Sequence, residues 1–172
     1  DIPGLCDLLG GKEKALADLT DMFSRVPENM MWNNYYNHAN EPVHHIPFMF
    51  NRLGAPWHTQ YWSRQICKRA YKNSVEGLVG NEDVGQMSAW YILSTLGFYP
   101  VNPANGEFVL GAPQVKNATI HLKNNKKFSI STSNFSAENI YTNHQKLNNT
   151  EVSTPIINYS DIIKGGTLNF QM

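Results

Sequence analysis

The stretch from Gly80 to Pro100, GNEDVGQMSAWYILSTLGFYP, constrains the fold more than any other part of the chain. Its apolar residues recur at intervals of three and four, which predicts an amphipathic helix with a wide apolar face: Met87, Trp90, Tyr91, Leu93 and Leu96. Gly97 is a suitable C-terminal stop for this helix, and Pro100 opposes its continuation. A helix of about three turns is therefore expected to end at Gly97.

A turn rich in acidic and amide side chains precedes this helix. Asn81, Glu82 and Asp83 stand in a row between Gly80 and Gly85, and residues 80–85 are called the acidic turn below. Acidic side chains are favoured at a helix N-terminus, so one interpretation is a simple cap. A cap needs only one oxygen-bearing side chain, however, and three in a row are also typical of a turn that aims carboxylates into a cleft.

Composition restricts the classes of partner. The chain has 14 basic and 14 acidic residues, so no net charge favours a nucleic acid or an anionic membrane. No apolar stretch approaches the length of a membrane span. Cys6 and Cys67 lie far apart and outside metal-ligand spacing, so we expect two buried small hydrophobes, with a disulfide as the open alternative.

The periodicity changes near Pro100, which predicts an α+β fold with a helical region at residues 1–100 and a β-rich region at residues 101–172. Helical periods cover three segments before the acidic turn: residues 12–26, which Pro27 ends; residues 45–53, starting near Pro47; and residues 59–71, with Thr59 as N-cap. After Pro100, short β-prone runs predict small antiparallel sheets, at residues 108–110, 118–122, 127–132, 139–142, 156–159 and 167–170.

A second group of polar and aromatic residues lies at residues 35–45, YYNHANEPVHH. Aromatic faces stack on sugar rings and planar polar groups bridge hydroxyls, so this mixture suits carbohydrate binding. The adjacent His44 and His45 do not have zinc-ligand spacing, which argues against a zinc site. A loop of capping residues over a core is the structural alternative. Trp57 is likewise either a core aromatic or a stacking platform.

These segments, in order, resemble the calcium-dependent exo-acting α-mannosidases of glycoside hydrolase family 92. The resemblance rests on NEP at residues 40–42 with His44 and His45, on GAPWHTQ at residues 54–60, and most specifically on the block from Gly80 to Pro103. It extends to both ends of the chain. It implies that the helices are the last part of an (α/α)₆ toroid, that the strands are a C-terminal β region, and that the chain is a C-terminal fragment.

The resemblance also implies a chemistry and a set of site residues. Family members hydrolyse terminal α-mannosides with inversion, and calcium organises the mannose hydroxyls. Asp83 matches the general base. Asn81 stands where some members have an assisting Asp, and Glu82 would serve the turn, the metal or substrate orientation. The mannose-binding set would comprise Asn40, Glu41, His44 and Trp57, with Glu41 and Asp83 also as calcium ligands.

The general acid has no counterpart in these residues, which leaves two functional hypotheses. In the first, the chain is the base-bearing part of a periplasmic or secreted glycosidase that acts on mannose-containing glycans together with an upstream portion. In the second, it is a non-catalytic carbohydrate-binding or structural module. Glu82 and Asp83 are not expected to form a complete acid and base pair, because neighbours on one turn do not readily reach opposite faces of a sugar.

Overall fold

A computed structural model describes all 172 residues and has the predicted order of helices followed by strands. The helices are α1 (Ile2–Leu8), α2 (Lys12–Ser24), α3 (Ile46–Arg52), α4 (Pro56–Ala70), α5 (Gln86–Leu96) and α6 (Tyr159–Lys164). The strands are β1 (Phe98–Tyr99), β2 (Glu107–Leu110), β3 (Asn117–His121), β4 (Lys127–Ser133), β5 (His144–Leu147), β6 (Thr150–Glu151), β7 (Ile156–Asn158) and β8 (Gly166–Gln171). No helix is both long enough and apolar enough to cross a membrane.

Helix α5 has the bounds that its sequence predicts. Gly97 ends it in the left-handed conformation, with φ of 94°. A Cβ at this position would lie 3.1 Å from Phe170 and from Pro113, so the close approach of the β region also requires glycine here. Helix α5 is thereby joined directly to β1 and to the sheets that follow.

One hydrophobic cluster lies among the helices and another lies under the strands. The first packs α2, α3, α4 and α5 around aromatic side chains that are fully buried, namely Phe23, Tyr36, Phe48, Phe50 and Trp90. The second lies under the strands and is built from residues such as Phe98, Leu110, Phe128, Leu168 and Phe170. Cys6 and Cys67 are both buried and free, which excludes a disulfide between them.

The β region forms two sheets. One has three strands in the order β1-β2-β7 and is antiparallel throughout. The other has five strands in the order β3-β4-β8-β5-β6, and its central pair, β4 with β8, is parallel. The β region is thus mainly antiparallel, as the sequence predicts, and this pair is the exception. Helix α6, which the sequence did not predict, lies between β7 and β8 and allows the chain to return for parallel pairing.

Two further local predictions are wrong. Residues 139–142 form no strand; Thr142 instead receives and donates hydrogen bonds with the side chain of Gln60 in α4. Helix α4 starts at Pro56 rather than at Thr59, because Pro is well suited to the first helical position. Thr59 is buried inside the helix, and its hydroxyl donates to the carbonyl of Pro47 at 2.8 Å.

Candidate active site

The acidic turn lies directly against the segment that carries Asn40 and Glu41. A Cβ placed on Gly80 would come within 2.9 Å of the carbonyl oxygen of Ala39 and 3.1 Å of its side chain. Only glycine allows the two backbones to approach this closely. The fold therefore brings together two groups of polar residues that are about forty positions apart in the sequence.

The backbone of the acidic turn is strained at its tip. Asp83, Val84 and Gly85 have φ values of 38°, 57° and 80°, so three consecutive residues are left-handed. A β-branched residue is disfavoured in this region, and Val84 gains no burial there because its side chain is fully exposed. Strain of this kind persists only where the surrounding structure holds the turn in place, as it does at many functional sites.

Glu82 and Asp83 have different environments. The Glu82 carboxylate accepts a hydrogen bond from the backbone N–H of Ser88 at 2.9 Å and another from the Ser88 hydroxyl. The hydrogen bonds from Ser88 lower the pKa of Glu82. Glu82 thus caps the first turn of α5, as one of the two sequence interpretations proposes. The Asp83 side chain is exposed and takes no part in this cap.

A chain of oriented hydrogen bonds fixes His38 behind the site. The Tyr71 hydroxyl donates to the carbonyl of Met87 at 2.9 Å, so it must accept from His38 Nε2–H at 2.8 Å. His38 Nδ1 then accepts from the Tyr36 hydroxyl at 2.7 Å. Burial is the main cause that lowers the pKa of His38 to about 2. The imidazole is therefore a neutral structural link between the segment before Asn40 and the start of α5.

His44 makes a second link to α5. Its Nε2–H donates to the carbonyl of His38 at 3.0 Å, and its Nδ1 accepts from the side-chain amide of Gln86 at 3.1 Å. The Trp90 indole donates to the His44 carbonyl at 2.9 Å, and the two imidazoles stack with centroids 4.4 Å apart. Burial lowers the pKa of His44 as well. Neither ring nitrogen of His44 is free to contact a sugar hydroxyl.

Two buried oxygen atoms in the segment before α3 have no protein partner. They are Oδ1 of Asn37 and Oε1 of Glu41, which lie four residues apart. Unpaired buried acceptors are costly, so such atoms are favoured positions for a cation or for ligand hydroxyl groups. No group of three or more His, Cys, Asp or Glu side chains is arranged to hold a metal ion. A complete set of ligands for calcium would therefore include amide, carbonyl or water oxygens, or donors from elsewhere.

The structure brings together most, but not all, of the predicted site residues. The backbone contact between Gly80 and Ala39 places the segment of Asn40 and Glu41 against the base of the acidic turn. Trp57 does not join them: it is in the first turn of α4, whereas Tyr71, which contacts the site, follows the last turn. At 1.5 Å per residue these two ends of α4 are about 20 Å apart. Trp57 is about half exposed and packs beside His58.

Sequence patterns did not identify three residues that shape the site. Asn37 and Gln86 lie inside segments that the sequence indicated, but neither was named as a site residue, and Tyr71 has no motif. Tyr71 and Gln86 depend on hydrogen-bond partners distant in the chain. The only sequence signal for Gln86 is its position immediately after the acidic turn, at the first residue of α5.

Comparison with known proteins gives a consistent result over the whole chain. The sequence model of the glycosyl hydrolase family 92 catalytic domain matches residues 1–172. An α-mannosidase of that family from Bacteroides thetaiotaomicron is 35% identical, with a TM-score of 0.86 over 94% of this chain and 22% of its own. That enzyme has also been solved in complex with mannoimidazole.

Two further relatives are also described as a mannosidase or a glycosidase. An inverting mannosidase of the same family and species is 33% identical, with a TM-score of 0.85 over 100% of this chain and 26% of its own. A protein of Arthroderma benhamiae described as an uncharacterized secreted glycosidase is 25% identical over 175 residues, which are 100% of this chain and 22% of the relative. The chain thus spans about a quarter of the length of the relatives it matches.

Proposed function

The chain belongs to glycosyl hydrolase family 92, and on that premise we propose that it supplies the base-bearing part of an inverting exo-α-mannosidase. Asp83 is the general base in this proposal. The observation that carries it is the contrast within the acidic turn: Glu82 is occupied as a helix cap, whereas Asp83 is exposed at a braced and strained tip. An exposed carboxylate held in place by its backbone is suited to accept a proton from water.

Inversion also needs an acid on the opposite face of the sugar. The two carboxyl groups of an inverting glycosidase are separated by about 6.5–9.5 Å, which leaves room for the attacking water. Glu82 is adjacent to Asp83 and bound to Ser88, so it does not meet this requirement. The general acid then comes from a part of the enzyme outside these residues. Asn81 is too weak a base to assist Asp83 as a second carboxylate would.

Mannose recognition falls to the segment beside the acidic turn. Asn40 and Glu41 carry amide and carboxylate groups that bridge neighbouring hydroxyls, and the unpaired Oε1 of Glu41 is available for such a contact. The complex of a relative with mannoimidazole supports a mannose-binding site in this family. Trp57 is at the end of α4 opposite Tyr71, about 20 Å away along the helix, so we assign it to a different part of a glycan from the ring bound beside the acidic turn.

The proposal includes calcium because the unpaired oxygen atoms of this part of the chain are of the kind that calcium binds. The unpaired oxygens of Asn37 and Glu41 are hard ligands of the kind that calcium prefers, and the exposed carboxylate of Asp83 is a third candidate. Bound calcium would polarise and orient the mannose hydroxyls. The remaining ligands would come from outside these residues. Since one relative is described as secreted, we also propose a secreted or periplasmic location.

The test uses two proteins: residues 1–172 alone, and the complete natural gene product that contains them. The complete product is expected to release mannose from an aryl α-mannoside in a calcium-dependent reaction, with β-mannose as the first product observed by NMR. Residues 1–172 alone are expected to be inactive because they lack the acid. A complete product without activity on any α-mannoside would contradict the proposal and favour a carbohydrate-binding or structural module. Activity of residues 1–172 that is lost in Asp83→Asn would place the acid within them.

A further inference from the structure

The side chain of Gln86 connects three parts of the fold. Its amide donates to His44 Nδ1 at 3.1 Å and to the Tyr99 hydroxyl at 2.9 Å. Since an amide nitrogen carries two hydrogens, both are used. Gln86 therefore joins the start of α5 to the segment of Glu41 on one side and to β1 on the other.

His44, the partner of Gln86, is itself buried and held by further contacts. His44 is 1% exposed, and its ring is held by the His38 carbonyl and by stacking on the His38 imidazole. Its backbone carbonyl is held by Trp90. A hydrogen bond to a fixed ring sets a position, whereas a hydrogen bond to a mobile surface group does not.

Gln86 also follows directly after the strained tip of the acidic turn. Three left-handed residues end at Gly85, and such a tip needs support on both sides to keep one conformation. The cap of Glu82 on Ser88 supports the turn from one side. The contact between Gly80 and Ala39 closes its base. The bridge from Gln86 to His44 is the support on the side of Glu41.

We propose that Gln86 and His44 form a positioning bridge that sets the placement of Asp83 relative to Glu41. The bridge touches no substrate; it acts through the acidic turn. This inference rests on the proposed function for its catalytic consequence, but its structural content stands independently. Misplacement of a reacting group by about 1 Å costs on the order of 100-fold in rate. Loss of the bridge is therefore expected to lower kcat strongly.

The decisive variant is Gln86→Met, which keeps the length of the side chain and removes both hydrogen bonds. Its matched control is Gln60→Met, since Gln60 also makes two hydrogen bonds, to Thr142, in a part of α4 away from the acidic turn. In the complete gene product, Gln86→Met is expected to lower kcat by about 10–100-fold and to change KM by less than about threefold. Gln60→Met is expected to lower the melting temperature and leave kcat unchanged.

A second measurement does not depend on catalysis. In residues 1–172, ¹H–¹⁵N NMR is expected to show altered shifts and faster amide exchange for residues 81–85 in Gln86→Met but not in Gln60→Met, together with a shift of His44 Nδ1. Gln86→Asn, which retains the amide but is too short to reach both partners, should show the same changes. If the wild-type product cleaves no mannoside, the proposed function fails while the NMR comparison still tests the bridge. Unchanged shifts at residues 81–85, or a kcat within twofold of wild type, would overturn the inference.

Discussion

Replacement of Val84 by glycine should stabilise the protein, although glycine usually destabilises. Val84 has φ of 57° and is fully exposed, so the substitution relieves a left-handed backbone and exposes no buried surface. The left-handed conformation costs an L-residue roughly 1–2 kcal/mol. The greater freedom of glycine in the unfolded chain offsets about 0.5–1 kcal/mol of that gain. The free energy of unfolding should therefore rise by about 0.5–1 kcal/mol.

Val75 is a matched control for this substitution. It is another fully exposed valine in a turn, and its φ is not positive. Val75→Gly relieves no strain, so the free energy of unfolding of this variant should fall by about 0.5–1 kcal/mol. By calorimetry, Val84→Gly should melt about 1–4 °C higher than wild type and Val75→Gly lower by a similar amount. Equal destabilisation of both variants would show that the tip of the acidic turn is not strained.

Three other predictions concern the supports of the site. The pKa of His38 in the folded protein is lowered to about 2, so the unfolded chain binds more protons below pH 6.5 and stability is lost as pH falls. The free energy of unfolding, measured with urea, should be at least about 2 kcal/mol lower at pH 5 than at pH 8. A flat profile would contradict a buried neutral imidazole. Gly97→Ala should lower the free energy of unfolding, measured by thermal unfolding, by about 1–2 kcal/mol, since φ is 94° there and Phe170 and Pro113 lie close. A neutral effect would contradict the assigned C-cap. Glu82→Ala should lower the melting temperature more than Glu82→Gln, which keeps an acceptor for the Ser88 N–H, and equal effects would argue against the cap.

The parts of the fold that depend on local chemistry were predictable from the sequence. Helix α5 is an example, because its apolar period and Gly97 both lie within a dozen residues. The pairing of β4 with β8 was not predictable, because parallel pairing depends on how the chain returns through α6. The segment at residues 139–142 has β-prone residues, but the side chain of Gln60, in a distant helix, accepts the hydrogen bond of the Thr142 backbone N–H that a neighbouring strand would need.

The same distinction applies to the site. Motifs indicated the acidic turn and the segment of Asn40 and Glu41, and the structure places them side by side. The hydrogen bond between Gln86 and His44 joins residues 42 positions apart, so no local pattern predicts it. For His44, residue type favoured contact with the sugar, whereas the fold buries both ring nitrogens in protein hydrogen bonds. All the predicted catalytic, mannose-binding and calcium-binding roles stay predictions, namely those of Asp83, Asn81, Glu82, Asn40, Glu41, His44 and Trp57.

The general-base assignment is tested most directly by kcat of Asp83→Asn in the complete gene product, measured on an aryl α-mannoside with calcium present. An amide does not accept the proton of the attacking water, so kcat should fall by at least about 100-fold. At saturating calcium, KM and the melting temperature should stay close to wild type, since the Asp83 side chain is exposed. Near-normal turnover by this variant would contradict the assignment of Asp83 as the base.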